Sequence, residues 1–321
     1  MKFLYFPESS AISRLCTFFF LFSFLAQLRG EIILEDSFQG TVVTFPDGRT
    51  KRYPDPKIWE FTFLPGTKWP DSYGDGTNWL NGNDECQTYV TPLLTQIKGV
   101  FIPRVLRYDP FFIKKDGLHI RAQLLSDEQR QAYQTEASYR RFGSGMLRSR
   151  ESFLYGKIRL VAKLPKAQGS WPAFWMLPAS FEWPPEIDIF EAMAWGPHIK
   201  QFHSGIIPKR NEGKPQGAWY NAGVDLTEGF NEYGLDWDAE SLTGFFNGKQ
   251  VWSKKTPDSM KQEMYLIINY AIGGKWVFNE LKIEPINGRS FDRLVKGSEE
   301  VKKFFPDSLI VNSIRVWKEK D

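Results

Sequence analysis

Cysteine is nearly absent from this sequence: 321 residues hold two, Cys16 and Cys86. Cys16 lies in an apolar leader-like segment, so the chain beyond residue 30 keeps Cys86 alone and forms no disulfide within itself, even in an oxidising compartment. Cys86 then reads as a small buried hydrophobe. A strong charge of either sign is also missing. The 41 Lys and Arg against 38 Asp and Glu leave +3, and removing Lys2, Glu8, Arg14 and Arg29 with the leader lowers this to +1. That near-neutrality takes away the electrostatic case for nucleic acid or an anionic membrane surface as partner. No repeat, low-complexity linker or charge block marks a second domain.

The leader is the run Leu15 to Ala26, with Lys2 and Arg14 before it and Gln27-Leu28-Arg29-Gly30 after it. A basic start, about a dozen apolar residues and a small residue soon after read as a secretory signal peptide cleaved near Gly30, too short to span a bilayer comfortably. The alternative is an uncleaved anchor. On the first reading residues 31–321 form a single domain, secreted or periplasmic, with no membrane contact of its own and expected as a monomer.

What is abundant is aromatic: 12 Trp, 12 Tyr and 27 Phe, with every Trp after residue 30. Tryptophans serve a sandwich core, and they also line carbohydrate clefts, where sugar faces stack on indole. From Glu31 on, short β-branched and aromatic runs are separated by Gly, Pro, Asn and Asp, the pattern of an all-β sandwich. In Lys157 to Lys163 the charges alternate with Ile158, Leu160 and Ala162, so one face is wet and the other buried. Asn247-Gly248 between apolar flanks predicts a type I′ hairpin. Two segments read as helices, Ser126 to about Ala137, opened by a capping-box pattern, and Phe291 to Phe305. The stretch from Phe45 to Asn83 reads as a long loop packed over the sandwich, shaping one end of a cleft.

Pro184-Pro185-Glu186-Ile187-Asp188-Ile189-Phe190-Glu191 begins as an alternation of acidic and apolar residues and then breaks it. Side chains two apart share a strand face, so Glu186 and Asp188 point together and the next acid belongs at 190. Phe190 stands there, and Glu191 comes one place late. A β-bulge at Ile189-Phe190 would rotate Glu191 back to the face of the other two. The outer carboxylates would then lie roughly 5–7 Å apart, close to the spacing of glycosidases that retain anomeric configuration. A solvated strand face and an oxygen-rich cation site fit the three acids as well.

Gly169-Ser170-Trp171-Pro172-Ala173-Phe174-Trp175-Met176-Leu177-Pro178, followed by Glu186-Ile187-Asp188-Ile189-Phe190-Glu191, closely resembles glycoside hydrolase family 16, the laminarinase-like enzymes with E-x-D-x-x-E on a bulged strand. Asn83-Asp84-Glu85-Cys86-Gln87-Thr88-Tyr89, Tyr155-Gly156-Lys157, Tyr233 to Trp237, Tyr265 to Trp276 and Ile314 to Trp317 extend the resemblance over Leu34 to Trp317. It implies a jelly roll of two antiparallel sheets whose concave face holds a long β-glycan. It also implies Glu186 as nucleophile, Asp188 as assisting carboxylate and Glu191 as general acid/base. Trp171 and Trp175 would form a stacking platform, Trp195, Trp276 and Asn83 would bind sugar, and His203 would hold a catalytic carboxylate. The sequence departs from the family pattern at Ile199 or Gln201, where many relatives carry an earlier histidine. It departs again at Asn312, where many carry the Asp of a structural calcium site. No cofactor is expected, and the calcium site is doubtful. The implied substrate is β-1,3- or mixed β-1,3/1,4-glucan, cut by an endo-acting retaining hydrolase. A transglycosylase, a hydrolase of galactan or another substituted glycan, and a non-catalytic glycan-binding protein are the alternatives.

Overall fold

Period-two patterning makes each strand a two-faced element, and two such sheets bury their apolar faces against one another. The computed structural model describes residues 30–45, 47–63, 78–95, 101–103, 108–133, 140–281 and 303–319. The leader and most of the segment 291–305 lie outside the described residues, as does the end of the expected helix beyond 133. Within them Ser126 caps a helix at Asp127–Ala132 with a reciprocal capping box to Gln129.

Among the described residues the inner sheet has seven strands in the order Gln216–Asn221, Gln201–Ile207, Glu186–Glu191, Ser170–Pro178, Met264–Ile272, Met146–Ser149 and Trp59–Glu60, each pair antiparallel. The outer sheet has ten among the described residues, with Gly156–Lys163 and Asp307–Glu319 at its centre and the hairpin Ser241–Phe246/Lys249–Lys255 at one edge. This is the expected jelly-roll sandwich. In Gly156–Lys163 buried and half-buried residues alternate strictly, as the charge pattern predicts. Asn247 and Gly248 take the positive φ values, 47° and 73°, that a type I′ turn requires.

The core lies between the sheets, where Phe190 packs on Tyr233 of the outer sheet at 4.3 Å between ring centroids. Two expectations change. The stretch from Phe45 to Asn83 contributes strands, Thr50–Tyr53 paired with Thr41–Thr44 and Trp59–Glu60 at the sheet's edge, while residue 46 and residues 64–77 lie outside the described residues. A helix that the sequence reading missed, Lys275–Leu281, follows the Gly273-Gly274 turn and carries Trp276 to the inner sheet's open face.

Candidate active site

The acidic strand is bulged where the broken alternation places the extra residue. Against its neighbour on one side Phe174 pairs with Phe190 and Trp175 with Asp188, leaving Ile189 extra. On the other side Asp188 pairs with Gly205 and Glu191 with His203, so Ile189 and Phe190 together oppose Ser204. Both bulge residues are buried in the inter-sheet core, at 3% and 0% exposure. Burying two consecutive apolar side chains on one side is what a regular strand cannot do, and it turns Glu191 to the face of Glu186 and Asp188. All three carboxylates line one cleft of about 830 Å³ over the inner sheet.

Each carboxylate has its own partners. The exposed Trp183 donates its indole N–H to Glu186 Oε2 at 2.7 Å. On Glu191, Trp171 Nε1 donates to Oε1 at 3.1 Å, and His203 Nδ1 lies 3.2 Å from Oε2. Burial pushes the Glu186 carboxyl up to about 7, with the Glu191 charge adding to the rise and hydrogen bonds from Asp188 and Trp183 opposing it. Asp188, at 3% exposure, is raised well above its ordinary value by burial first and then by the charges of Glu186 and Glu191. The hydrogen bond between the two raises Asp188 and lowers Glu186, so within this pair Asp188 is the donor and Glu186 the carboxylate.

The sugar-binding candidates divide. Trp175 lines the cleft half-buried, its Nε1 held by Asn269 Oδ1 at 2.7 Å. Trp171 shares that face, but its ring stacks on Trp276 at 5.1 Å and it is nearly buried, so the two do not make the open pair the sequence reading expected. Trp276 is itself stacked between Trp171 and Trp219, the latter at 5.7 Å. Trp195 does not reach the cleft: it is buried, donating its Nε1 to the Ser170 carbonyl at 3.1 Å. Asn83 lines the cleft and donates to Glu85 Oε1 at 2.9 Å. Asn312, at the doubtful calcium position, donates its amide to the Asp116 carbonyl.

Two cleft residues escaped the sequence reading. Glu85 accepts amide N–H groups from Asn83 and Gln87 on its two oxygens, and burial pushes it up to about 7 against those bonds. Its signal was its place in the Asn83 to Tyr89 stretch. Trp183 lines the cleft at 61% exposure. It stands three residues before Glu186, outside the alternation that drew attention to the strand.

A family model described as Glycosyl hydrolases family 16 matches residues 118–284. Endo-1,3-1,4-beta-glycanase EglC of Rhizobium meliloti is 34% identical over 225 residues, 68% of this chain and 42% of that protein. Endo-1,3-1,4-beta-glycanase ExsH of the same organism is 31% identical with the same coverage. The chain thus spans about 42% of the length of these relatives. Among solved structures, the laminarinase catalytic domain from Thermotoga maritima superposes with a TM-score of 0.61 at 22% identity, covering 91% of this chain and 99% of that one.

Proposed function

The chain belongs to glycosyl hydrolase family 16, and on that premise we propose that it is an exported, retaining endo-hydrolase of β-1,3- or mixed β-1,3/1,4-glucan. The observation that carries this reading is the bulge, which gathers Glu186, Asp188 and Glu191 on one face of one strand inside a cleft. The relatives EglC and ExsH, both endo-1,3-1,4-beta-glycanases, support the choice of glucan.

Glu186, the carboxylate that Asp188 and Trp183 hydrogen-bond, attacks the anomeric carbon. Glu191 gives its proton to the departing glycosidic oxygen, and the glycosyl group passes to Glu186 as an ester. A water then enters on the side of Glu191, which takes its proton as the ester breaks, and the sugar leaves with its original configuration. Asp188 keeps its proton and follows the charge on Glu186 through the cycle with its hydrogen bond. Nothing in this scheme calls on a metal, and export follows from the leader read at residues 1–30. Release of reducing ends from laminarin and lichenan by the purified chain tests the reading, with initial products followed by NMR for the β-anomer. Glu186→Gln is expected to lose at least roughly a thousandfold in kcat. Turnover that survives this change at the wild-type rate, or binding of laminarin with no turnover by the wild type, would refute it.

A further inference from the structure

Each oxygen of Glu191 meets a ring nitrogen, Trp171 Nε1 donating to Oε1 and His203 Nδ1 lying within hydrogen-bond distance of Oε2, and the two rings belong to one aromatic cluster. Trp171 reaches Oε1 from the neighbouring strand Ser170–Pro178, and His203 reaches Oε2 from the strand on the other side. Neither ring is fixed by its own strand alone. Trp276 stacks on Trp171 at 5.1 Å with 24° between planes, and the His203 ring stands edge-on to the same Trp276 at 5.5 Å. Trp219 closes the cluster, stacked on Trp276 at 5.7 Å and edge-on to His203 at 5.7 Å. The remaining edge of the imidazole lies over Gly217 of the sheet's last strand. A Cβ added there would stand 2.4 Å from both Cε1 and Nε2 of His203, inside any tolerable contact.

We propose that Trp276 and Gly217 are positioning residues for the general acid/base, Trp276 as the wedge that locks Trp171 and His203 onto Glu191 and Gly217 as the slot that lets the imidazole lie flat. This assigns Trp276 a role other than sugar stacking, because indoles occupy the faces a sugar would use. Rings that pack this way prefer a few discrete geometries, so the wedge fixes direction as well as distance. The inference rests on the reading of Glu191 as acid/base given above.

Proton donation from Glu191 matters in proportion to how poor the leaving group is. A glucan's alcohol must be protonated as it departs, whereas a dinitrophenolate leaves unaided, and azide captures the glycosyl ester without a general base. Trp276→Leu and Gly217→Ala are therefore assayed on laminarin and on a dinitrophenyl β-laminaribioside, with and without azide, beside wild type and Trp276→Phe. The expected result is a loss of roughly 10–100-fold in kcat on laminarin with KM within about threefold. On the aryl substrate kcat/KM stays within about threefold of wild type, and azide raises its turnover. Trp276→Phe restores most of the laminarin activity. Circular dichroism supplies a readout apart from activity: the exciton couplet of the stacked indoles disappears in Trp276→Leu and persists in Gly217→Ala. If Trp276→Leu fails to fold, Gly217→Ala, which removes no contact, carries the test alone.

Equal losses on both substrates, or no loss on laminarin, in a series whose wild type turns over both would overturn the clamp and leave the proposed function standing. A wild type that cleaves neither substrate would overturn both.

Discussion

Ser204 carries the most demanding prediction, because one hydroxyl joins the bulge to the opposite sheet. It sits across from Ile189 and Phe190, is 1% exposed, and donates to the Asp188 carbonyl at 2.9 Å. The same oxygen accepts the indole N–H of Trp252, an outer-sheet residue at 6% exposure, at 2.8 Å. Ser204→Ala removes both contacts at once and leaves a buried indole N–H with no partner and a carbonyl that has lost its side-chain donor. At roughly 1–3 kcal/mol for each buried polar group left unsatisfied, the expected loss is about 3 kcal/mol. The melting temperature should fall by roughly 6–12 °C. Denaturant unfolding of the folded chain measures the free energy, and Trp252→Phe completes a double-mutant cycle. In the Trp252→Phe background Ser204→Ala should cost about 1–2 kcal/mol less than in the wild type, because one orphaned group is gone before the hydroxyl is removed. Activity should fall with stability, since the Asp188 carbonyl is where the strand departs from regular pairing. A cost below about 0.5 kcal/mol, or additive single changes, would refute the idea that this hydroxyl holds the bulge.

Two further predictions concern the raised carboxyls. Glu85 titrates at 4.5 unfolded and at about 7 folded, so folding takes up a proton in that window and stability falls as pH rises through it, by about 3 kcal/mol for a shift of this size. Glu186 adds to the fall in the same window. Glu85→Gln should flatten the stability profile between about pH 5 and 7 by that amount. An unchanged slope in urea titrations at several pH values would show that Glu85 is not the group responsible. Trp183→Phe removes a donor that favours ionised Glu186. The acid limb of the pH–rate profile should move up by about half a pH unit, and a limb that stays in place or moves down would count against this hydrogen bond.

Much of the architecture was legible because it is encoded at short range. Alternation in Lys157 to Lys163, the Asn247-Gly248 turn and the Ser126 cap each depend on residues a few places apart, and each forms as its pattern predicts. The bulge was legible for the same reason. Two adjacent apolar residues between acids on one strand have only one way to bury both, and the late Glu191 follows from it.

The tryptophans were legible as cleft or core material and no further. Trp171 and Trp175, four apart, do share the cleft face of their strand, as period two requires. Which of them keeps an open ring is decided by Trp276 and Trp219, brought in from a helix and an edge strand far along the chain. Trp195 is turned into the protein by a carbonyl 25 residues away. The helix directly after the Gly273-Gly274 pair was missed because its two turns carry no apolar period of their own; the sheet it packs on supplies the reason for it.

The order of neighbouring side chains is enough to make this chain a β-sandwich with three carboxylates on one bulged strand, because that order sets strand faces and bulges. What surrounds those carboxylates is set by the closed fold. The rings on Glu191, the indole on Glu186, the burial that raises Glu85 and the hydroxyl beneath Asp188 join residues from separate strands, loops and a helix. Such contacts exist only once both sheets have closed on their core.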